Sequence, residues 1–273
     1  MISGLYTAAS ALVAQEQQQD VIANNLANVN TTGFKKDTAL YVPFPTVFLN
    51  RINDDKSVVP GGMVDNISPI GQMGRGVQLR VDGVVPELTD EGAYVQTSNN
   101  LDLAIKGNGM FEVMTPNGIR YTRNGNFSVD ADGQLVNQTG YPVLGQAGRI
   151  MLNSTNVHID ESGRVFDNSD KTSQEIDTLR IGLFTKDDNL RKQGDSLFYK
   201  LDGAPLPEDD RVENVQIKQG YLEASNVNVV KEMVEMITSY RAYESASKAI
   251  TAQDSTLDKA ANSIGSVTTN LTI

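Results

Sequence analysis

The chain has 273 residues, 39% hydrophobic and 21% charged, with a formal charge of −11; this is the profile of a folded but rather polar protein with room for one large domain or two smaller ones. Excess acid repels phosphate backbones, and the lack of any cysteine removes disulfides, thiolate metal sites and cysteine nucleophiles together. Nucleic acid and anionic lipid are set aside as partners, and no apolar run approaches the ~18–20 residues that cross a bilayer as a helix, so no membrane insertion is expected.

From Ile2 to about Asn28 there is no proline and only one glycine, Gly4. Ile2, Leu5, Ala9, Leu12, Ala23 and Leu26 fall on one heptad-like seam interrupted at Glu16 and Gln19, which predicts a helix. Its middle, Gln15 to Asp20, is too polar for a core helix, so part of the seam needs a partner. Ala9-Ser10-Ala11 has the small residues of a leader-cleavage site, but no basic residue occurs before Lys35, which argues against a cleaved leader.

Residues 31–92 are rich in proline and glycine and read as an extended connector. Beyond it the texture becomes β-rich, with turn dipeptides at Asn117-Gly118, Asn124-Gly125 and Asp132-Gly133. Ile119 to Tyr121, Asn126 to Val129 and Gln134 to Val136 are expected as strands of successive hairpins, and residues 93–220 as a mainly β domain. A second helix follows, capped by Asn226 or Asn228 and stopped by Gly265. Along it Val229, Met233, Met236, Tyr240, Tyr243, Ser247, Ile250, Asp254, Leu257, Ala261 and Ile264 alternate four and three apart. The expected fold is therefore α+β: terminal helical segments 1–30 and 221–273 form a coiled-coil-type core, with the β domain inserted. Each helix carries more apolar surface than it covers alone, which suits either mutual packing in one monomer or a multi-subunit core.

The string NNLANVNTTGFKK, Asn24 to Lys36, resembles the N-terminal signature of flagellar rod and hook proteins, with Asn24, Asn25, Leu26, Asn28, Gly33 and Phe34 as its motif residues. GYLEASNVNVVKEMVEMITSYRAYE, Gly220 to Glu244, resembles the C-terminal signature of the same family. SNNLDLAIKGNGMFEV, from Ser98, and YTRNGNFSVDADGQLV, from Tyr121, are similar to internal segments that it shares. The resemblance implies a structural subunit of the flagellar basal-body rod. Such subunits are exported unfolded through the type III apparatus and polymerise helically outside the inner membrane. They transmit torque from motor to hook, and their terminal helices fold on assembly. It implies as partners the chain itself, other rod subunits, the hook protein and surrounding ring proteins. Leu5, Leu12, Leu26, Met233, Met236, Tyr240, Tyr243, Ile250 and Leu257 would then form the assembly interface. A hook-type axial subunit is the neighbouring alternative.

Chemistry is sparse. His158 is the only histidine, which leaves one centre for a catalytic triad and none for a two-histidine metal motif; a surface strand position explains it. Asp130-Ala131-Asp132-Gly133 opens like a calcium loop, but Gly140, Tyr141 and Pro142 stand where the closing acid belongs, so a hairpin turn is expected. Gly107-Asn108-Gly109 reads as a tight turn and Glu208-Asp209-Asp210 as a solvated loop. No cofactor and no enzymatic activity are expected. A carbohydrate-active or adhesin-like β protein is the rival from another class, against which stand the absence of tryptophan for sugar stacking and the long terminal helices.

Overall fold

A computed structural model describes residues 2–43, 48–59, 62–72, 77–152, 154, 156–167, 174–184, 190–200 and 215–269. The acidic run Glu208-Asp209-Asp210 lies outside them. The architecture is α+β: helix α1 (Ile2–Ala27), a mainly β middle, and helix α2 (Val229–Thr269).

Two compact units divide the chain. The first contains Met1–Ile22, Ala39–Gly83 and Met233–Ile273, and the second Ala23–Thr38 and Val84–Glu232. The first is a helical unit with a ribbon. Phe48–Val59 pairs antiparallel with Gly62–Gln72, so the stretch read as a connector contains a long hairpin. Within this unit α1 and α2 run antiparallel. Ser239 Oγ donates to Gln15 Oε1 at 2.9 Å, while a Cβ added at Gly4 would come within 2.5 Å of Gln253 Nε2. The polar middle of α1 is partly satisfied here, since the Tyr41 hydroxyl donates to Gln18 Oε1 at 2.6 Å and lies 3.2 Å from the Ala14 carbonyl.

Helix α2 starts as its sequence suggests: Asn228 Oδ1 accepts the Lys231 N–H at 3.1 Å, relieving one of the unpaired donors of the first turn. It does not stop at Gly265 but continues to Thr269, 41 residues in all. A single glycine costs a helix only about 1 kcal/mol, and the β-branched Val267, Thr268 and Thr269 beyond it offer no positive-φ exit. At 1.5 Å per residue such a helix is roughly 60 Å long.

The β unit centres on an antiparallel five-stranded sheet, in the order Ile181–Leu183, Gly109–Thr115, Gly118–Thr122, Leu197–Lys200 and Leu190–Gly194. The Gly109–Thr115 strand is dry on both faces. Phe111 and Val113 enter the main core, where Phe111 meets Phe127 edge-on at 5.0 Å, and Met110 enters a second cluster with Tyr121, Phe184, Leu190 and Phe198. Phe127–Val129 pairs with Leu135–Asn137 around a turn in which Asp130 Oδ1 accepts the Asp132 and Gln134 N–H groups. That is a hairpin turn built on an aspartate, as its sequence predicts. The C-terminal half of the unit is stitched in by Gln216–Gln219 against Leu103–Lys106 and by Tyr221–Glu223 against Tyr94–Gln96.

Candidate assembly site

Two features stand out, one in each unit. In the β unit, the strings near the two ends of the chain, Asn24 to Lys36 and Gly220 to Glu232, meet around a set of buried charges. Gly33 starts the junction. At φ 66° it takes a left-handed conformation, and an added Cβ would lie 2.4 Å from the Asn124 backbone nitrogen, so only glycine fits. Its N–H donates to the Glu223 carbonyl at 2.8 Å, which brings Lys35 alongside the Glu223 side chain.

Lys35 Nζ lies 2.8 Å from Glu223 Oε1, both side chains 1% exposed, and also donates to the Asp90 carbonyl at 2.7 Å. The second Glu223 oxygen takes the Arg123 Nε–H. Arg123 uses three of its four other donors on the carbonyls of Gly107, Gly109 and Ile105, and the Gly92 N–H completes Glu223 at 2.9 Å. Two cations on one carboxylate are sustained in a dry site because nearly every remaining donor meets a backbone oxygen. Burial holds Lys35 below the ordinary lysine value, with the Glu223 charge opposing and the Arg123 charge adding to the shift. At the rim, Tyr94 donates to Glu91 Oε2 at 2.8 Å. Burial raises Tyr94 well above the usual tyrosine value, with the bond to Glu91 adding to it. Burial would raise Glu91 too, but the bonds from Tyr94 and the Gly107 N–H bring it below the usual carboxylate value.

A second layer adjoins the first. The Asn25 amide forms a reciprocal pair with the Asp37 backbone, donating to its carbonyl at 2.9 Å and accepting its N–H at 2.8 Å. Asn25 also donates to Glu232 Oε2 at 3.2 Å, and the other Glu232 oxygen lies 3.6 Å from Lys36 Nζ. Lys192 reaches in from the sheet to Asp37 Oδ1 at 2.8 Å and sits 3.9 Å over the Phe34 ring. Burial lowers Lys192, with the Asp37 hydrogen bond and charge opposing. A polar cleft of about 500 Å³ opens beside this layer, lined by Asn24, Asn28, Phe34, Asn124, Asn137 and Lys192 among others.

The second feature is the surface of α2 in the helical unit. Met233, Val234, Ile237 and Tyr240 are 49%, 57%, 55% and 62% exposed, and Tyr243 38%. The first four form an apolar stripe on the side away from Ser239 and Gln253, while Tyr243, four residues on from Ser239, lies between the two faces. Of the residues expected at an assembly interface, Met236, Ile250 and Leu257 are half-buried, as are Leu5, Leu12 and Leu26 on α1, while Met233, Tyr240 and Tyr243 are open to solvent. Of the motif residues, Asn25, Gly33 and Phe34 are buried, Asn28 and Leu26 half-buried and Asn24 exposed. Sequence reasoning did not single out Lys35, Arg123, Glu223 or Glu232. A signal for three of them was present: Lys35, Glu223 and Glu232 are charged residues inside the terminal strings, and Lys35 is the first basic residue of the chain.

His158 is exposed on the Val157–Ile159 strand, with Nδ1 3.2 Å from Gln219 Oε1 and its ring stacked at 6.3 Å on Phe166. Among the described residues no group of three or more His, Cys, Asp or Glu is placed to hold a metal, and no helix is long and apolar enough to cross a membrane.

Three family models match segments of the chain. Residues 5–35 match the flagella basal body rod protein model, 104–166 the D1 domain of the flagellar hook proteins FlgE/F/G, and 218–264 the C-terminal segment of the flagellar basal body rod FlgEFG proteins. Among curated proteins the chain is 35% identical to the flagellar basal-body rod protein FlgG of Caulobacter vibrioides, over 94% of this chain and 97% of that one. It is also 35% identical to the rod protein FlgF of the same organism, covering 91% and 92%. The flagellar hook-basal body complex protein FlhO of Bacillus subtilis is 32% identical over 98% of this chain and all of its own.

Proposed function

We propose a mode of assembly for this chain, which belongs to the flagellar basal-body rod protein family and is a structural subunit of the rod in the flagellar basal body. Its place is among other basal-body components. The subunit polymerises helically through its terminal helices, residues 1–30 and 221–273, in a coiled-coil-type inner core. The assembly passes torque from motor to hook. Its direct neighbours are further copies, other rod subunits and the hook protein, with ring proteins around it. The site lies outside the inner membrane, and the chain catalyses no reaction.

The observation that carries this reading is the stripe Met233, Val234, Ile237 and Tyr240, about half or more exposed on a 41-residue helix. Large apolar side chains exposed side by side on one helix face suit an interaction surface. Methionine adapts to irregular holes, and tyrosine supplies area together with a hydroxyl, both of which suit subunit contacts. The buried Lys35–Glu223–Arg123 set supports the mechanical part, since it ties the Asn24–Lys36 and Gly220–Glu232 strings together inside the β unit.

The test is Ile250→Asp in a strain whose only copy is the variant. Half-buried Ile250 belongs to the helical unit, so the reading predicts loss of the variant from isolated basal bodies with unchanged melting of the β domain. Normal rods containing the variant would contradict it.

A further inference from the structure

We infer that the outer face of α2 over Met233–Arg241 docks on the outer face of α1 over Ala9–Asp20 of a second copy of this chain. The inference rests on the polymerisation reading and names the two surfaces that meet.

On α2, exposed Val234, Ile237 and Arg241 stand three and four residues apart and so form one ridge, with exposed Met233 and Tyr240 beside it. On α1, exposed Ala9, Val13, Glu16 and Asp20 are spaced four, three and four apart and form another, with Val13 54% exposed. Both ridges point away from the faces by which the helices meet within the chain, where Gln15 meets Ser239 and Gly4 meets Gln253. One chain therefore cannot satisfy its own ridges, and a neighbour is required.

Charge selects the occupant. Each copy has a formal charge of −11, so copies repel unless the contact pairs opposite signs locally. Glu16 and Asp20 are the only charged side chains before Lys35, and both lie on the α1 ridge. Arg241 stands in line with the apolar residues of α2, so a docked pair sets a guanidinium against two carboxylates at the end of an apolar contact. Size matches as well: the small Ala9 and Val13 admit close approach by a helix bearing Met233, Ile237 and Tyr240. Two different surfaces joined head to tail give an open helical filament whenever the rotation does not close a ring, which is the geometry a rod needs.

The absence of cysteine makes the test clean. Two tagged copies, one with Val13→Cys and one with Ile237→Cys, are expressed together in a strain lacking the native chain, and isolated basal bodies are oxidised. Both positions are exposed, so both variants are expected to melt like the parent. The inference predicts a disulfide between the two tagged copies, reduced at least tenfold by Arg241→Glu in the second copy. Glu16→Lys with Asp20→Lys in the first copy then restores it. Both copies present in the basal body without a mixed disulfide, a disulfide indifferent to the charges, or a cross-link to another protein instead would each overturn the pairing while leaving the rod reading in place. Absence of both copies from basal bodies would overturn the rod reading itself and the pairing with it.

Discussion

The junction in the β unit and the stripe on α2 invert each other's chemistry. In the junction, full charges are sealed from water, with Lys35 and Glu223 each 1% exposed. On α2, four large apolar side chains lie about half or more in water. Hydrophobic burial is not directional, whereas a dry ion cluster tolerates one geometry only. The β unit therefore keeps its polar specificity inside, and the helical unit leaves an apolar surface outside, which under the proposed assembly is where a neighbouring subunit docks. An assembly subunit needs both.

The largest expected effect breaks the inner half of that contrast. Glu223→Ala leaves Lys35 and Arg123 buried without their shared counter-charge, and should destabilise the β unit by ~3–5 kcal/mol in urea unfolding. Asn25→Ala removes the amide that satisfies both polar groups of Asp37 and one Glu232 oxygen, with an expected loss of ~1–3 kcal/mol.

The rim of the junction predicts a pH profile. Glu91 sits below its usual value of 4.5 in the folded chain, so its contribution is present above pH 4.5 and is lost as pH falls below it. Tyr94 sits above its usual 10.0, so its contribution is present below pH 10.0 and is lost as pH rises past it. The urea midpoint should be highest between these limits, and Glu91→Gln should flatten its acid side.

The smallest stability effect is also the sharpest discriminator. Ile237→Ser on the exposed stripe should change unfolding by no more than ~0.5 kcal/mol, yet should lower incorporation into basal bodies severalfold. Equal loss of stability for Ile237→Ser and Asn25→Ala would erase the distinction between the two regions.

Much of the architecture was legible from the residues. The 3.6-residue pattern from Ile2 and again from Val229 announces both helices, and the Asn117-Gly118 and Asp132-Gly133 turns announce two hairpins that the β unit contains. Less legible was the rotation of α2. Met236, Tyr243, Ile250 and Leu257 belong to two neighbouring seams, one continued by Met233 and Tyr240 and the other by Ser239 and Gln253. The second faces α1, and because serine and glutamine make no apolar pattern, spacing alone points to the first. The junction was hidden for a different reason: Lys35 and Glu223 are 188 positions apart, and no local rule pairs charges at that distance. Gly33 was legible as a residue of the N-terminal string but not as the contact that seats Lys35, since the carbonyl that takes its N–H belongs to Glu223.

The most direct measurement of the central claim is electron cryomicroscopy of isolated basal bodies carrying a label inserted at the exposed Asn117-Gly118 turn. The account predicts label repeating helically along the axial rod. Intact rods without label, with the tagged chain located elsewhere in the cell envelope, would contradict it.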